Sequence, residues 1–282
     1  MIRLENVSHY YFPHQSRIVA LLEINLEISR GEFLSLIGPN ASGKTTLAKL
    51  LNALLLPSKG DVWLEDMNTQ DPKYLWDIRQ KVGLIFSNPD NQIVGTSVEE
   101  DIAFGLENLG VPTAEMRTRV KEALKLVGME DYAKSAPHLL SGGEKQRVAI
   151  AGVIAMRPAC IVLDEPTDLL DPKGRIEVME TVKRLNREGT TIVYITHFME
   201  EAIEADRIAV LDHGRIVQIG KPQEVFQKVD FLQKLGLDVP EITLLVQELR
   251  RGGLKLSPEI LTREELINSL KSLRQEKVTA GK

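Results

Sequence analysis

The hydrophobic and polar positions change period several times along the chain, and each change predicts an element. Between residues 2 and 28 apolar and polar residues alternate (Ile2, Leu4, Val7, then Leu22, Ile24, Leu26, Ile28) around a turn at Pro13-His14-Gln15. That period of two marks half-buried antiparallel strands. Mainly apolar runs at 33–37, 82–86, 160–163 and 190–196 are short enough to be strands buried on both faces of a parallel sheet. Helical stretches separate them. One opens near Gly43 and runs to about residue 55, where Pro57 and Gly60 stop it, and the DVWLED stretch after it reads as a short strand.

Ser97 and Glu100 form an S-x-x-E box that opens a helix through residue 107. After the Gly110-Val111-Pro112 turn, a second helix carries the KEALKLV face. Two helices in a row without a strand predict an insertion beside the sheet. Asp171-Pro172 begins another helix, through about residue 187, with proline at its first position. Residues 207–211 and 216–219 flank the Asp212-His213-Gly214-Arg215 turn, a hairpin that closes the sheet, and Lys221-Pro222 opens a short helix. From about residue 231 the texture differs. Pro240 begins an amphipathic helix to residue 251, Gly252-Gly253 breaks it, Thr262 to Glu265 caps another, and VTAGK at the end reads as frayed.

Composition narrows the class. With 282 residues, 43% of them hydrophobic, the chain can bury one large α/β core and carry a small appended module. A formal net charge of -5 supplies no basic field for nucleic acid, so no nucleic-acid partner is expected. The single cysteine, Cys160, lies in an apolar run and cannot form an internal disulfide, which fits a reducing compartment. No run approaches the roughly 18 apolar residues of a spanning helix, and MIRLENVSHYY lacks a signal-peptide layout. If the protein works at a membrane, other subunits hold it there.

The chemistry concentrates in five places. In FLSLIGPNASGKTTL the spacing from Gly38 to Lys44 is G-x-x-x-x-G-K, followed by Thr45 and Thr46. Glycines let main-chain N–H groups curl around phosphate oxygens, Lys44 neutralises the β/γ-phosphates, Thr45 offers its hydroxyl to Mg²⁺, and the helix dipole adds to the field. Ser141-Gly142-Gly143-Glu144 is a second capped helix start. Glycines in a first turn cost about 1 kcal/mol each against alanine when they lie inside the helix, and close approach to an anion repays that loss. A second phosphate surface beside one P-loop invites a dimer in which each subunit completes the other's site. Asp164 and Glu165 follow the 160–163 run at its C-terminal end, where ligands sit in open α/β sheets. Asp164 suits a Mg²⁺ shell and Glu165 the polarisation of an attacking water. His197 follows the 190–196 run at the corresponding end and suits a γ-phosphate contact. Within Tyr10-Tyr11-Phe12, each ring packs at a strand end or offers a π-face to a base, and position selects Tyr11 for the base.

GPNASGKT, LSGGEKQR, IVLDEPT and the Thr196-His197 pair resemble the ATP-binding-cassette ATPases over nearly all of residues 2–225. Within that superfamily, NPDNQIVGTSVEEDIAFGLENLGVP, SGGEKQRVAIAGVIAMRP and the extra C-terminal segment resemble the ATPase subunits of energy-coupling factor transporters, the cobalt, nickel and vitamin uptake systems. The resemblance implies an α/β P-loop fold: a RecA-like core with an antiparallel β subdomain and a helical subdomain at about 88–157, together 1–225, and a small α-rich module over 226–282. It implies two cassettes, identical or paralogous, sandwiching two ATP molecules with Mg²⁺ at the cytoplasmic face of the cell membrane. They drive a transmembrane coupling subunit that carries small substrate-binding membrane proteins, a peripheral, translocase-type ATPase. By position, Tyr11 would stack on adenine, and Asn40, Ala41, Ser42, Gly43, Lys44, Thr45 and Thr46 would hold phosphates and metal. Asp164 would join the metal shell, Glu165 would be the base, His197 would sense the γ-phosphate, and Ser141 to Glu144 would close over the partner's ATP.

Two departures stand out. Where the family reads FQNPD, this chain has Ser87 in Phe86-Ser87-Asn88-Pro89-Asp90, so the glutamine that reaches Mg²⁺ and the attacking water is a serine, with Gln92 five residues on. Asp168 stands where a small residue is usual; a like charge ~8 Å from phosphate costs about 2 kcal/mol at an effective dielectric near 20. Together they predict unequal sites, and unequal sites favour a paralogue as partner. The alternatives are a conventional importer with a regulatory C-terminal domain, or a soluble ATP-gated clamp. The clamp reading lacks the long coiled coil of repair clamps and the second cassette of translation factors.

Overall fold

The computed structural model describes residues 1–12 and 16–280, with side chains through residue 275; the turn expected at Pro13-His14-Gln15 and the last two residues lie outside the described residues. Strands β1 (Ile2–Tyr11) and β2 (Ile18–Ile28) pair antiparallel, and β3 (Phe33–Ile37) leads into α1 (Lys44–Leu51). Next come β4 (Lys59–Leu64), β5 (Met67–Asn68), α2 (Leu75–Lys81) and β6 (Val82–Ile85). The helical insertion contains α3 (Val98–Asn108), α4 (Thr113–Val127) and α5 (Gly142–Ala155). Then follow β7 (Cys160–Asp164), α6 (Pro172–Arg187), β8 (Thr191–Ile195), α7 (Met199–Ala202), β9 (Arg207–Asp212) and β10 (Arg215–Gly220). The chain finishes with α8 (Pro222–Phe226), α9 (Val229–Lys234), α10 (Glu241–Arg251) and α11 (Arg263–Ala280).

Two sheets organise these elements. A four-stranded sheet runs β2-β1-β4-β5, antiparallel throughout. A six-stranded sheet runs β10-β9-β3-β8-β7-β6, parallel from β6 to β9 and closed by the antiparallel β10. Every residue of β3, β7 and β8 is buried, as their mainly apolar runs require in a sheet covered on both faces. One apolar cluster fills the space between the two sheets around α1, with Leu21, Ile28, Leu47 and Val162 in it. A second, on the opposite face, joins α3, α4 and α5 to α6 and the sheet through Ile102, Leu124, Ile150 and Val178. Both capping boxes form, Ser97 with Glu100 and Ser141 with Glu144. Cys160 is free and buried, and burial pushes its thiol pKa up to about 12.

The C-terminal segment divides in two. Val229, Leu232, Leu237 and Val239 pack against Ile37, Ile208 and Val210 of the main sheet, whereas Val246, Leu256, Ile260 and Leu266 form a small cluster of their own. Thr262 caps α11, its Oγ1 accepting from the Glu265 N–H at 3.2 Å while the Glu265 carboxylate accepts from the Thr262 N–H at 2.9 Å. Residues 278–280 continue α11 where fraying was expected.

Two local expectations fail for physical reasons. The helix after the P-loop ends at Leu51, four residues early, because Ala53 turns into the left-handed region (φ 55°) and the Leu54 and Leu55 N–H groups fold back to the Lys49 carbonyl. In β2 the inward residue is Leu21, fully buried, and not Leu22. Glu23, at φ 53°, lies where the pairing of β1 with β2 shifts register, from Val7 opposite Ile24 to His9 opposite Leu21. A bulge of this kind flips the alternation.

Candidate active site

The P-loop links the C-terminal end of β3 to the first turn of α1, and its glycines are forced by the chain's own packing. A Cβ on Gly38 would fall 2.2 Å from the Leu211 carbonyl oxygen and 2.8 Å from Ser42 Oγ; one on Gly43, at φ 108°, would meet the Ala20 oxygen at 2.5 Å. The loop is tied from outside as well, by the Gly214 N–H donating to the Ser42 carbonyl at 2.9 Å. Ala41 sits at φ 63°, a conformation that costs a non-glycine residue about 1–3 kcal/mol. Gly43 caps α1 without a side-chain hydrogen bond, so no capping side chain competes with an anion for the first-turn N–H groups, which have no intrahelical partner. Asn40, Ala41 and Thr45 are exposed at the rim, and Ser42, Lys44 and Thr46 are buried.

Lys44 is only 6% exposed, and its Nζ donates to the Gly38 carbonyl at 2.8 Å and the Pro39 carbonyl at 3.2 Å. Burial lowers its pKa, and the charges of Glu165, Asp164 and Asp168 act against that. The Lys44 ammonium lies 3.8 Å from Glu165 Oε1. Tyr11, at the end of β1, reaches the same place: its hydroxyl is 3.2 Å from Thr46 Oγ1, and its ring meets His9 edge-on.

The ends of β7 and β8 bring up the acids and the histidine. Asp164 is buried, its Oδ1 has no hydrogen-bond partner, and burial raises its pKa while the neighbouring Thr45 hydroxyl and Lys44 charge pull it down. Glu165 adopts φ 52°, its N–H held by the Ile195 carbonyl at 3.0 Å. Burial raises its pKa, the Asp168 charge raises it further, and Lys44 lowers it. His197 Nδ1 lies 3.0 Å from Asp168 Oδ1. Glu165, Asp168 and His197 present donor atoms all within 4.8 Å of one another. Asp168, flagged in the sequence only as an unwanted negative charge, is thus the partner of His197.

Ser87 follows β6 and is half-buried. Gln92 does not replace the missing glutamine: its Oε1 accepts from the Phe86 N–H at 2.9 Å and its Nε2 donates to the Leu84 carbonyl at 3.1 Å, so its amide is spent on the end of β6. Gln146, which the sequence offered only as part of the LSGGEKQR stretch, is fully buried and donates to the Phe86 carbonyl at 3.1 Å.

Ser141 to Glu144 open α5 at a different place. Ser141 Oγ accepts from the Glu144 N–H at 3.3 Å, and the Glu144 carboxylate accepts from the Ser141 N–H at 2.8 Å and from the Ser141 hydroxyl at 2.9 Å, the two bonds that hold the Glu144 pKa low. A Cβ on Gly142 would lie 3.6 Å from the Leu169 oxygen, and one on Gly143 3.7 Å from Leu170 Cδ2, both ordinary contacts, with no P-loop atom within 4 Å. Tyr11, the P-loop, Asp164, Glu165 and His197 therefore share one site, while the Ser141 to Glu144 group stands apart from it. Among the described residues, no close contact needs glycine at 142 or 143.

An ABC transporter family model matches residues 21–168. This chain belongs to the ABC transporter ATPases. Within them it groups with the energy-coupling factor ATP-binding proteins. It is 57% identical to the energy-coupling factor transporter ATP-binding protein EcfA1 of Caldanaerobacter subterraneus subsp. tengcongensis, covering 95% of this chain and 97% of that one. It is 53% identical to EcfA1 of Clostridium novyi, over 97% and 99%. Among solved structures, CbiO1 of Clostridium perfringens, described as part of the ABC transporter complex CbiONQ, superposes with a TM-score of 0.74 at 36% identity, over 87% of this chain and 98% of that one. The MJ0796 cassette, a dimer in a post-hydrolysis state bound to ADP and Pi, gives 0.72 at 34% identity, over 79% and 99%. The RecA-like core, β subdomain and helical insertion expected of an ABC cassette are all present. What sequence reading missed in this cassette is the support around the site, the Asp168–His197 pair and the buried Gln146. The signal for Gln146 was a polar residue on the buried side of a helix.

Proposed function

We propose that this ABC cassette is the ATP-binding and hydrolysing subunit of an energy-coupling factor importer, acting as one of two cassettes against a transmembrane coupling subunit that carries substrate-binding membrane proteins. The observation that carries the reading is the pair of half-sites. The P-loop has its acids and histidine beside it, while the second glycine pair makes no contact that needs glycine among the described residues. Leu139 and Leu169, 75% and 65% exposed next to that pair, support a partner covering it, as does the dimeric MJ0796 neighbour. Among the described residues no helix is long and apolar enough to cross a membrane; in this reading the coupling subunit holds the chain, as a peripheral subunit, at the cytoplasmic face.

In this reading ATP draws the Lys44 ammonium from the Gly38 and Pro39 carbonyls to the β/γ-phosphates, and the first-turn amides of α1 take up the remaining charge. Tyr11 stacks on the adenine. The donor set fits Mg²⁺, because Asp164 offers a buried, unpartnered oxygen and Thr45 a hydroxyl, both hard oxygen ligands; bound there with the phosphates, Mg²⁺ would neutralise their charge. Glu165, its pKa raised by burial, polarises the water, since a base works best with a pKa drawn toward the working pH. His197 contacts the γ-phosphate, and Ser141 to Glu144 of the partner subunit's copy close the far side. Ser87, shorter than glutamine, acts through a water, so this site turns over more slowly than one with glutamine. In this reading residues 1–225 form the cassette with its helical subdomain at 88–157, and 226–282 the appended module, which packs on the main sheet through Val229 to Val239 and carries an apolar cluster of its own from Val246 onward. Purification on a tagged full-length chain tests the reading. Recovery with a hydrophobic subunit and ATP turnover abolished by Lys44→Ala is expected; full turnover in Lys44→Ala overturns it.

A further inference from the structure

Glu201, on α7, is a buried carboxylate with no part in the mechanism above. It is 8% exposed and surrounded by hydroxyls. Thr167 Oγ1 donates to it, 2.8 Å from Oε1 and 3.0 Å from Oε2; Thr196 Oγ1 donates to Oε2 at 2.7 Å, and the Tyr194 hydroxyl to Oε2 at 3.2 Å. An anion taken out of water needs such compensation, and three O–H donors supply charge-assisted hydrogen bonds. Apolar packing alone would not call for a carboxylate here.

The origin of the three hydroxyls decides what the carboxylate does. Thr167 lies two residues after Glu165 and one before Asp168, in the loop leaving β7. Tyr194 is in β8, and Thr196 directly precedes His197, its Oγ1 also accepting from the Phe198 N–H at 3.0 Å. Phe198 in turn lies against the His197 ring, centroids 4.0 Å apart, and the Arg175 guanidinium carbon lies 3.8 Å from the Phe198 ring centroid. One carboxylate therefore ties the loop that carries Glu165 and Asp168 to the strand end that carries His197.

We infer that Glu201 is a positioning residue that sets the placement of Glu165 and Asp168 relative to His197 by holding both segments to one buried carboxylate through three hydroxyls. It rests on the reading of Glu165 and His197 as the residues acting on ATP. The clamp works on turnover and leaves nucleotide affinity alone, because the P-loop amides and Lys44 are not among its partners.

Glu201→Gln keeps the shape but turns one oxygen into a donor that meets hydroxyls already donating. In the full-length chain, assayed in the assembly purified with it, kcat is expected to fall roughly 10- to 100-fold, the loss that a misplacement near 1 Å produces, with KM for ATP held within about threefold. In a His197→Ala background the same substitution should change kcat by less than about twofold, since residues acting as one unit are not additive. Thr167→Val, which deletes one donor and keeps the volume, should reproduce the kcat loss, and Thr167→Ser should recover most of it; this pair carries the test if Glu201→Gln does not fold. An unchanged kcat, a KM that moves in step with kcat, or full additivity with His197→Ala overturns the clamp. Turnover that survives Lys44→Ala removes the site reading and the clamp with it, whereas Lys44-dependent turnover that is indifferent to Glu201→Gln removes the clamp alone.

Discussion

The chain opens two helices with a pair of glycines, and the two starts are built on opposite terms. At α1, Gly38 and Gly43 are locked: a Cβ at either would strike a backbone oxygen, at 2.2 Å from Leu211 and 2.5 Å from Ala20. At α5, Gly142 and Gly143 face ordinary contacts at 3.6 and 3.7 Å, and the helix is already capped by Ser141 and Glu144. The first pair is required by folding and so would be kept whatever the chain bound. The second pair lowers helix propensity and meets no contact among the described residues that offsets the loss. A residue type whose cost is unmatched internally points outward, here to a surface completed by another molecule.

The largest separation of the two starts should come from Gly38→Ala. Its Cβ overlaps backbone that cannot yield, and overpacking of this kind costs about 1–3 kcal/mol; a denaturant midpoint well below wild type and lost ATP binding are expected, and an unchanged midpoint would show that the P-loop relaxes freely.

A smaller effect concerns the acids beside α1. Burial and the Asp168 charge both hold the Glu165 pKa above the ordinary carboxylate value, so kcat/KM falls as pH drops through that raised value and the base takes up a proton. Asp168→Asn removes one raising charge while keeping an acceptor for His197 Nδ1, and the acid limb should move to lower pH; a limb that stays in place would mean Asp168 does not act on Glu165. The sign for stability follows: the folded state holds this proton more tightly than the unfolded chain, so Glu165 favours the fold at low pH and that contribution is lost as pH rises through its raised value.

Much of this was legible in the sequence, and the reasons differ by element. The strands 33–37, 160–164 and 191–195 are buried on both faces, so mainly apolar runs announced them and placed Asp164, Glu165 and His197 at their ends. The capping boxes at Ser97 and Ser141 were readable because a local spacing specifies a local bond. Leu21 replaced Leu22 as the inward residue because a bulge at Glu23 breaks the alternation, and no period-two reading contains a bulge. α1 stops at Leu51 although Leu54 and Leu55 continue the apolar pattern, since the backbone reverses at Ala53. The partner of Asp168 and the hydroxyls around Glu201 come from segments up to 34 residues apart, contacts that exist only once β7 and β8 lie side by side.

The smallest expected effect is at the end of β6. Ser87→Gln supplies the reach that Gln92 cannot, its amide being bound to Phe86 and Leu84; a modest rise in turnover of the assembled complex is expected, and no change would remove Ser87 as a source of unequal sites.

The measurement that bears most directly on the two half-sites is Gly143→Ala, read for stability and for turnover together. Alanine fits beside Leu170 and is the better helix former by up to about 1 kcal/mol, so the variant should melt at or above the wild-type temperature and bind ATP as wild type does, yet lose most of the assembly's ATP hydrolysis. A variant that melts lower, or that hydrolyses ATP at the wild-type rate, would contradict the claim that this glycine pair serves a nucleotide held by another subunit.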